Sequence, residues 1–284
     1  IEVDHTLKIP GQVHRQVVKL MCKLVDENPT ELLGRLDKWL PSLLSATLSE
    51  NKELANESYS CLSLCIEKLE LGALAETSQC ILPHLGTLGT KMTLLLSKSR
   101  EIQATHVWSV IISLLGSKSL KAAVANPLFK VMEKTFVSKQ APSRVASYAA
   151  WKVLIDVWKS NSKQGLDSKR IRIALAPLLN SLSYKERVTA VRAEAEKIWC
   201  THFKPQSIKS EQDYKSYVKP VADSVINVLP PAERYVGDVG WTYVKVITYL
   251  VEIMESMTMA DTGAADESFR IMQVFLSHLV QTAC

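Results

Sequence analysis

The amino-acid sequence predicts an all-α fold, a HEAT/armadillo-like helical-repeat solenoid running as a single array through residues 1–284. Three observations carry that expectation. Apolar residues recur at i, i+3, i+4 and i+7 over most of the chain, the spacing that lines one face of a helix. Pro- or Gly-bearing breaks separate helix pairs at intervals of about 40 residues, the period of HEAT-type arrays. Strand propensity competes only at Trp241 to Val251, where Trp241, Val244, Ile247, Val251 and Met254 still fit a helix face.

The elements follow in order. Val13, Val17, Leu20, Met21 and Leu24 make the first apolar face. Asn28-Pro29-Thr30-Glu31 reads as a cap followed by a first-turn proline, whose missing N–H the helix does not need there. Leu32, Leu36, Trp39, Leu40, Leu43 and Leu44 continue the period, with Pro41 expected to kink or break it. A helix over Leu54 to Leu69 stops near Gly72. Further helices are expected at 74–97 (broken near Pro83), 101–115, 119–137 (interrupted at Asn126-Pro127), 141–160, 168–181, 185–203, 211–229, 239–259 and 265–283.

Composition agrees with a folded chain. Of 284 residues, 47% are hydrophobic and 22% charged, and no stretch reads as a linker. The chain begins at Ile1 and ends on an apolar helical pattern at Cys284, as a piece of a longer protein is expected to. The longest uncharged run, the 16 residues between Glu101 and Lys118, is too short and too polar to span a membrane. Six cysteines (Cys22, Cys61, Cys65, Cys80, Cys200 and Cys284) sit inside apolar helical patterns, which suits free thiols in a reducing compartment.

Catalytic signatures are lacking. Gly86-Thr-Leu-Gly-Thr-Lys91 has the wrong spacing for a phosphate loop and is expected between helices; neither a nucleophile elbow nor His-Glu-x-x-His occurs. Cys61 and Cys65 are one helical turn apart, as are Cys80 and His84, but structural zinc sites place close Cys pairs on turns, so helical packing is the better reading. The expectation is therefore no enzyme, no cofactor and no metal.

Charge is more informative. Between Arg144 and Lys215, fourteen basic residues face seven acidic ones, whereas the whole chain carries only +5, so the net positive charge lives in the central third. Such a field attracts phosphate on nucleic acid or on a phosphorylated protein. Lys163, Lys169, Arg170, Arg172, Lys185, Arg187 and Arg192 are the candidate binding residues. Their convergence requires Arg192 to reach back along its helix pair, or the groove to bend.

The same region carries a resemblance. Lys91 to Leu96, Trp108 with Leu114-Leu115-Gly116, Tyr148-Ala-Ala-Trp-Lys-Val-Leu-Ile-Asp156, Ser168-Lys-Arg, Ala176-Pro177-Leu178 and the helix through Arg192 to Trp199 follow in a familiar order. Together they resemble the N-terminal helical-repeat region of the Rap-interacting factor (Rif) family, best from Lys91 to Phe203, less over Leu36 to Leu69, and not past Pro220. The resemblance implies a nuclear scaffold on chromatin and telomeres that acts in replication timing and double-strand-break repair, with DNA or phosphorylated proteins as partners. It also implies recruitment of protein phosphatase one, but Lys130-Val131-Met132-Glu133 and Arg144-Val145-Ala146-Ser147 lack the aromatic residue of its docking motif, so docking is expected outside this chain. The competing expectation is a cytoplasmic HEAT or armadillo adaptor for transport or trafficking, in which the basic stretch serves only solubility.

Overall fold

The computed structural model describes residues 11–28, 35–68, 74–161, 166–182 and 186–203, together with 220, 221 and 251. Every regular element among the described residues is a helix, so the chain is all-α with a helical-repeat fold. The helices expected over 211–229, 239–259 and 265–283 lie largely outside the described residues. The chain divides into two compact units, residues 1–163 and 164–284.

In the first unit the helices among the described residues are α1 (Gly11–Glu27), α2 (Leu36–Thr47), α3 (Lys52–Lys68), α4 (Leu74–Ile81), α5 (Leu85–Ser97), α6 (Glu101–Leu115), α7 (Ala122–Phe136) and α8 (Ala141–Ser160). A 3-10 turn containing Pro83 separates α4 from α5, as expected. Their contacts sort them into two rows. One row runs α1, α3, α6, α8; the other runs α2, α4 with α5, then α7.

Side-chain contacts fix the register within each row. Arg15 bridges from α1 to Glu53 and Glu57 of α3, 38 and 42 positions on, and Lys68 pairs with Asp26 at 3.2 Å near the other end. The two helices therefore run parallel. Glu101 and Ser143 link α6 to α8 across 42 positions, and Lys91 reaches Ser45 in the second row across 46. Neighbours in a row are thus one repeat apart, the spacing the sequence periodicity points to.

Packing explains why the prolines do not stop their helices. Pro41, expected to kink or break its helix, and Pro127, expected to interrupt one, lie inside α2 and α7, which run through without a break. A mid-helix proline costs about 3 kcal/mol. Burial of Leu36, Leu40, Leu43 and Leu44 on α2 offsets that, at roughly 1.5–3 kcal/mol per fully buried aliphatic side chain. Gly86 and Gly89, expected between helices, lie within α5, where Thr90 and Thr93 donate hydroxyl bonds of 3.0 Å to the two glycine carbonyls.

The core of the unit lies between α6, α7 and α8. Trp108, Leu154 and Ile155 are fully buried and Trp151 nearly so. Phe129 and Phe136 from α7 each stand 5.5 Å from Trp151, and the Trp108 indole N–H donates to the Leu128 carbonyl at 2.9 Å. Lys152 and Asp156 point outward and pair with each other at 2.7 Å. The helix α6 ends at Gly116, whose φ of 48° and ψ of −127° suit a residue without Cβ.

The second unit contains α9 (Ser168–Leu182) and α10 (Thr189–His202), packed against each other. The helix α10 begins at Thr189, later than the expected 185, because Glu186 to Val188 are non-helical and Val188 is extended at the cap.

Candidate phosphate-binding interface

Asp167 sets the start of α9. One carboxylate oxygen accepts from the Arg170 N–H at 2.8 Å, capping an otherwise unpaired helix donor. The other pairs with the Arg170 guanidinium at 2.6 Å. Arg170 is thereby tethered and its charge partly offset. Ile171, Ala174, Leu175 and Leu178 are buried, which turns Lys169 and Arg172, three positions apart, to solvent. Neither makes an ion pair among the described residues.

The other sequence-predicted residues divide. Arg187 is exposed in the link before α10. Lys163 and Lys185 lie outside the described residues. Arg192 does not reach back to the strip: it is buried, at 7% exposure, on the turn that also buries Val191 and Ala195. Its position repeats at Ala195 and Trp199 along the packed face of α10, and that helical phase decides its burial.

Lys197, one of the fourteen basic residues between Arg144 and Lys215, was not among the candidate binding residues. It is exposed on α10. The pair α9–α10 is joined by a short link and so runs antiparallel, which brings the end of α10 carrying Lys197 beside the start of α9. Antiparallel pairing is the signal that finds it: the far end of the second helix, not its beginning, lies at the end of the pair where α9 starts.

The first unit holds a second basic surface that a charge count begun at Arg144 left out. Lys121, Lys130, Lys134 and Lys139 are exposed and Lys118 half-buried. None makes an ion pair among the described residues, and Glu133 is the one acidic residue of α7. By contrast Arg144 donates to the Ser138 carbonyl at 2.6 Å, and burial pushes the Lys159 ammonium below its ordinary pKa.

A groove of about 270 Å³ opens where α3, α6 and α8 begin. Tyr59 and His106 stack in it with ring centroids 4.9 Å apart. Gln103 donates to the Thr47 and Ser49 carbonyls at 2.7 and 3.2 Å, and Arg100 donates to the Ser49 and Glu50 carbonyls. Burial lowers the His106 pKa, which favours the neutral ring. Glu101 accepts from Ser138 and Ser143 at 3.4 and 3.5 Å, a long contact that ties α6 to α8. These groups staple repeats together.

The thiols are similarly structural. Cys61 and Cys65 are buried on α3 and Cys22 is half-buried on α1. Burial, and then the Cys61 thiol, push Cys22 up to about 12, away from the thiolate a nucleophile needs. Cys80 is half-buried on α4 and His84 exposed in the 3-10 turn. Among the described residues no group of three or more potential ligands is arranged to hold a metal, and no helix is long and apolar enough to cross a membrane.

Comparison with known proteins gives one match. The family described as Rap1-interacting factor 1 N terminal matches residues 5–216, well over half of the chain. No curated protein and no solved structure matches.

Proposed function

We infer function from one premise: the chain belongs to the Rap1-interacting factor 1 N-terminal family. In our reading it is a non-enzymatic, chromatin-associated scaffold of the nucleus and telomeres. Its helical repeats bind DNA or a phosphorylated protein in the control of replication timing and double-strand-break repair. The observation that carries the binding role is the exposed, unpaired pair Lys169 and Arg172 at the start of α9, with Lys197 at the same end of the helix pair. Side chains of this kind contact phosphate oxygens and read backbone charge more than base sequence. Protein phosphatase one docks elsewhere in the full-length protein.

Fluorescence anisotropy of the purified chain with a DNA duplex tests this. Affinity falls steeply between about 50 and 200 mM salt, and the variant K169E/R172E/K197E loses it while keeping its melting temperature. Affinity that survives both changes overturns the reading. Loss of phosphopeptide binding with DNA binding unchanged assigns the site to a phosphoprotein.

A second reading, an adaptor acting only through protein contacts, rests on α1. Val13, Val17, Leu20 and Leu24 form an exposed apolar stripe, 37–59% exposed, on the first helix of the row. In that case the chain shows no salt-dependent affinity for DNA.

A further inference from the structure

The groove where α3 and α6 begin carries groups that the stapling of repeats does not use. Lys52, Asn56 and Tyr59 follow one another at turn spacing on α3, and Ile102, Gln103 and His106 line the groove from α6. Lys52 and Asn56 are exposed. Among the described residues Lys52 makes no ion pair and the Asn56 amide no hydrogen bond. Ile102 is 38% exposed. Farther along both helices lies the Tyr59–His106 stack, with Tyr59 half-buried and His106 exposed. The walls are held in place: Gln103 spends its amide N–H groups on the Thr47 and Ser49 carbonyls, and the Arg100 guanidinium donates to those of Ser49 and Glu50. Along α3 the groove therefore offers a cation, a free amide and an aromatic platform, in that order, with an exposed aliphatic side chain on α6.

We propose that this groove binds an extended, proline-bearing segment of a partner protein in which an acidic residue lies three positions from an aromatic one. Lys52 and Tyr59 are seven positions apart, which is about 10 Å along a helix axis. Three residues of polyproline II cover about 9 Å and return the fourth side chain to the side of the first. A β-strand instead turns positions three apart to opposite faces. In the polyproline register the carboxylate meets Lys52, the aromatic ring lies against the Tyr59–His106 stack, and the prolines between them cover Ile102. A polyproline backbone makes no internal hydrogen bonds, so its carbonyls are open to the Asn56 amide. Charge complementarity with Lys52 selects the acidic residue. A nucleic-acid strand fits this groove less well, because the Arg100 guanidinium is spent on carbonyls and the Glu101 carboxylate lines the same groove. The site belongs to the first unit and does not depend on Lys169 or Arg172.

The test is fluorescence anisotropy of the full 284-residue chain with two labelled synthetic peptides, one centred on Glu-Pro-Pro-Trp and one on the reverse order, Trp-Pro-Pro-Glu. Saturable binding of at least one is expected. K52E weakens it by about fivefold or more, and H106A by about fivefold. N56A weakens it severalfold, and none of the three variants lowers the melting temperature. K169E/R172E leaves it unchanged, so its failure and that of the phosphate-binding strip are told apart. The proposal is overturned if neither peptide binds, or if a peptide with a third proline between Glu and Trp binds equally well. It is also overturned if a single-stranded oligonucleotide displaces the peptide and loses its own affinity in K52E, which makes the groove a nucleic-acid site.

Discussion

The indole of Trp151 lies stacked on that of Trp108, with ring centroids 6.0 Å apart and planes within 20° of parallel. The two residues come from neighbouring parallel helices, so the stack joins one repeat to the next. Trp151→Ala removes its contacts with Trp108, Phe129 and Phe136 together. The expected loss is about 3–5 kcal/mol, read from the shift in denaturant midpoint. An unchanged midpoint contradicts a packed Trp151.

Arginines 172 and 192 differ in kind. Arg172→Glu, at an exposed position, leaves thermal stability within about 0.5 kcal/mol of the parent. Arg192→Glu places a carboxylate on the packed face of α10 and destabilises the second unit by about 3 kcal/mol or more. Thermal melts of the two variants side by side decide the point; equal melting temperatures contradict the burial of Arg192.

Glycines make a second contrast. A Cβ at Gly89 meets nothing within 4 Å, so Gly89→Ala stabilises α5 by about 0.5–1 kcal/mol. Gly116 has a positive φ of 48°, and Gly116→Ala costs about 1–3 kcal/mol. Equilibrium unfolding of both variants reads opposite signs.

Cys22 predicts an alkaline loss of stability. Its folded pKa is about 12 against an ordinary 9.0. The unfolded thiol therefore ionises first as pH rises, and the unfolded state gains. The contribution is whole below pH 9, where both states are protonated, and drains away between 9 and about 12. Cys22→Ala lacks this term, so its stability declines less steeply over that window. Parallel pH profiles for parent and variant test it. In labelling with a thiol reagent at mildly alkaline pH, the exposed Cys200 reacts ahead of Cys22.

How far the residues announce the fold depends on what each one answers to. The apolar phase of Trp151, Leu154 and Ile155 is local, and it foretold their burial, with Lys152 and Asp156 outside. Proline and glycine were less legible: the sequence allowed a kink or a break at Pro41, set an interruption at Asn126-Pro127 and put Gly86 and Gly89 between helices, but the helices run on, because the burial that overrides these preferences is tertiary. Of the candidate site, Lys169 and Arg172 were legible as exposed charge. Arg192 was not, because its burial is fixed by which turn of α10 meets α9. The lysines of α7 were hidden by the opposite error, since a count along the chain does not see that α5 and α7 share a surface.

A register of about one repeat has a kinetic meaning. In the first unit, Arg15 meets Glu53 and Glu57, 38 and 42 positions away, and Lys98 meets Glu50, 48 away. Closing a loop of that size costs only slightly more than closing one half as long, and no very distant strand of chain must be found before the next contact can form. Folding can nucleate in one helix pair and spread to its neighbour, in the manner of a one-dimensional chain. The helix α6 is braced by α3, α4, α5, α7 and α8, whereas among the described residues α1 is held chiefly through α3. Amide protons of α1 accordingly exchange through local opening long before those of α6, and tension applied at the α1 end peels the unit helix by helix instead of rupturing it at once.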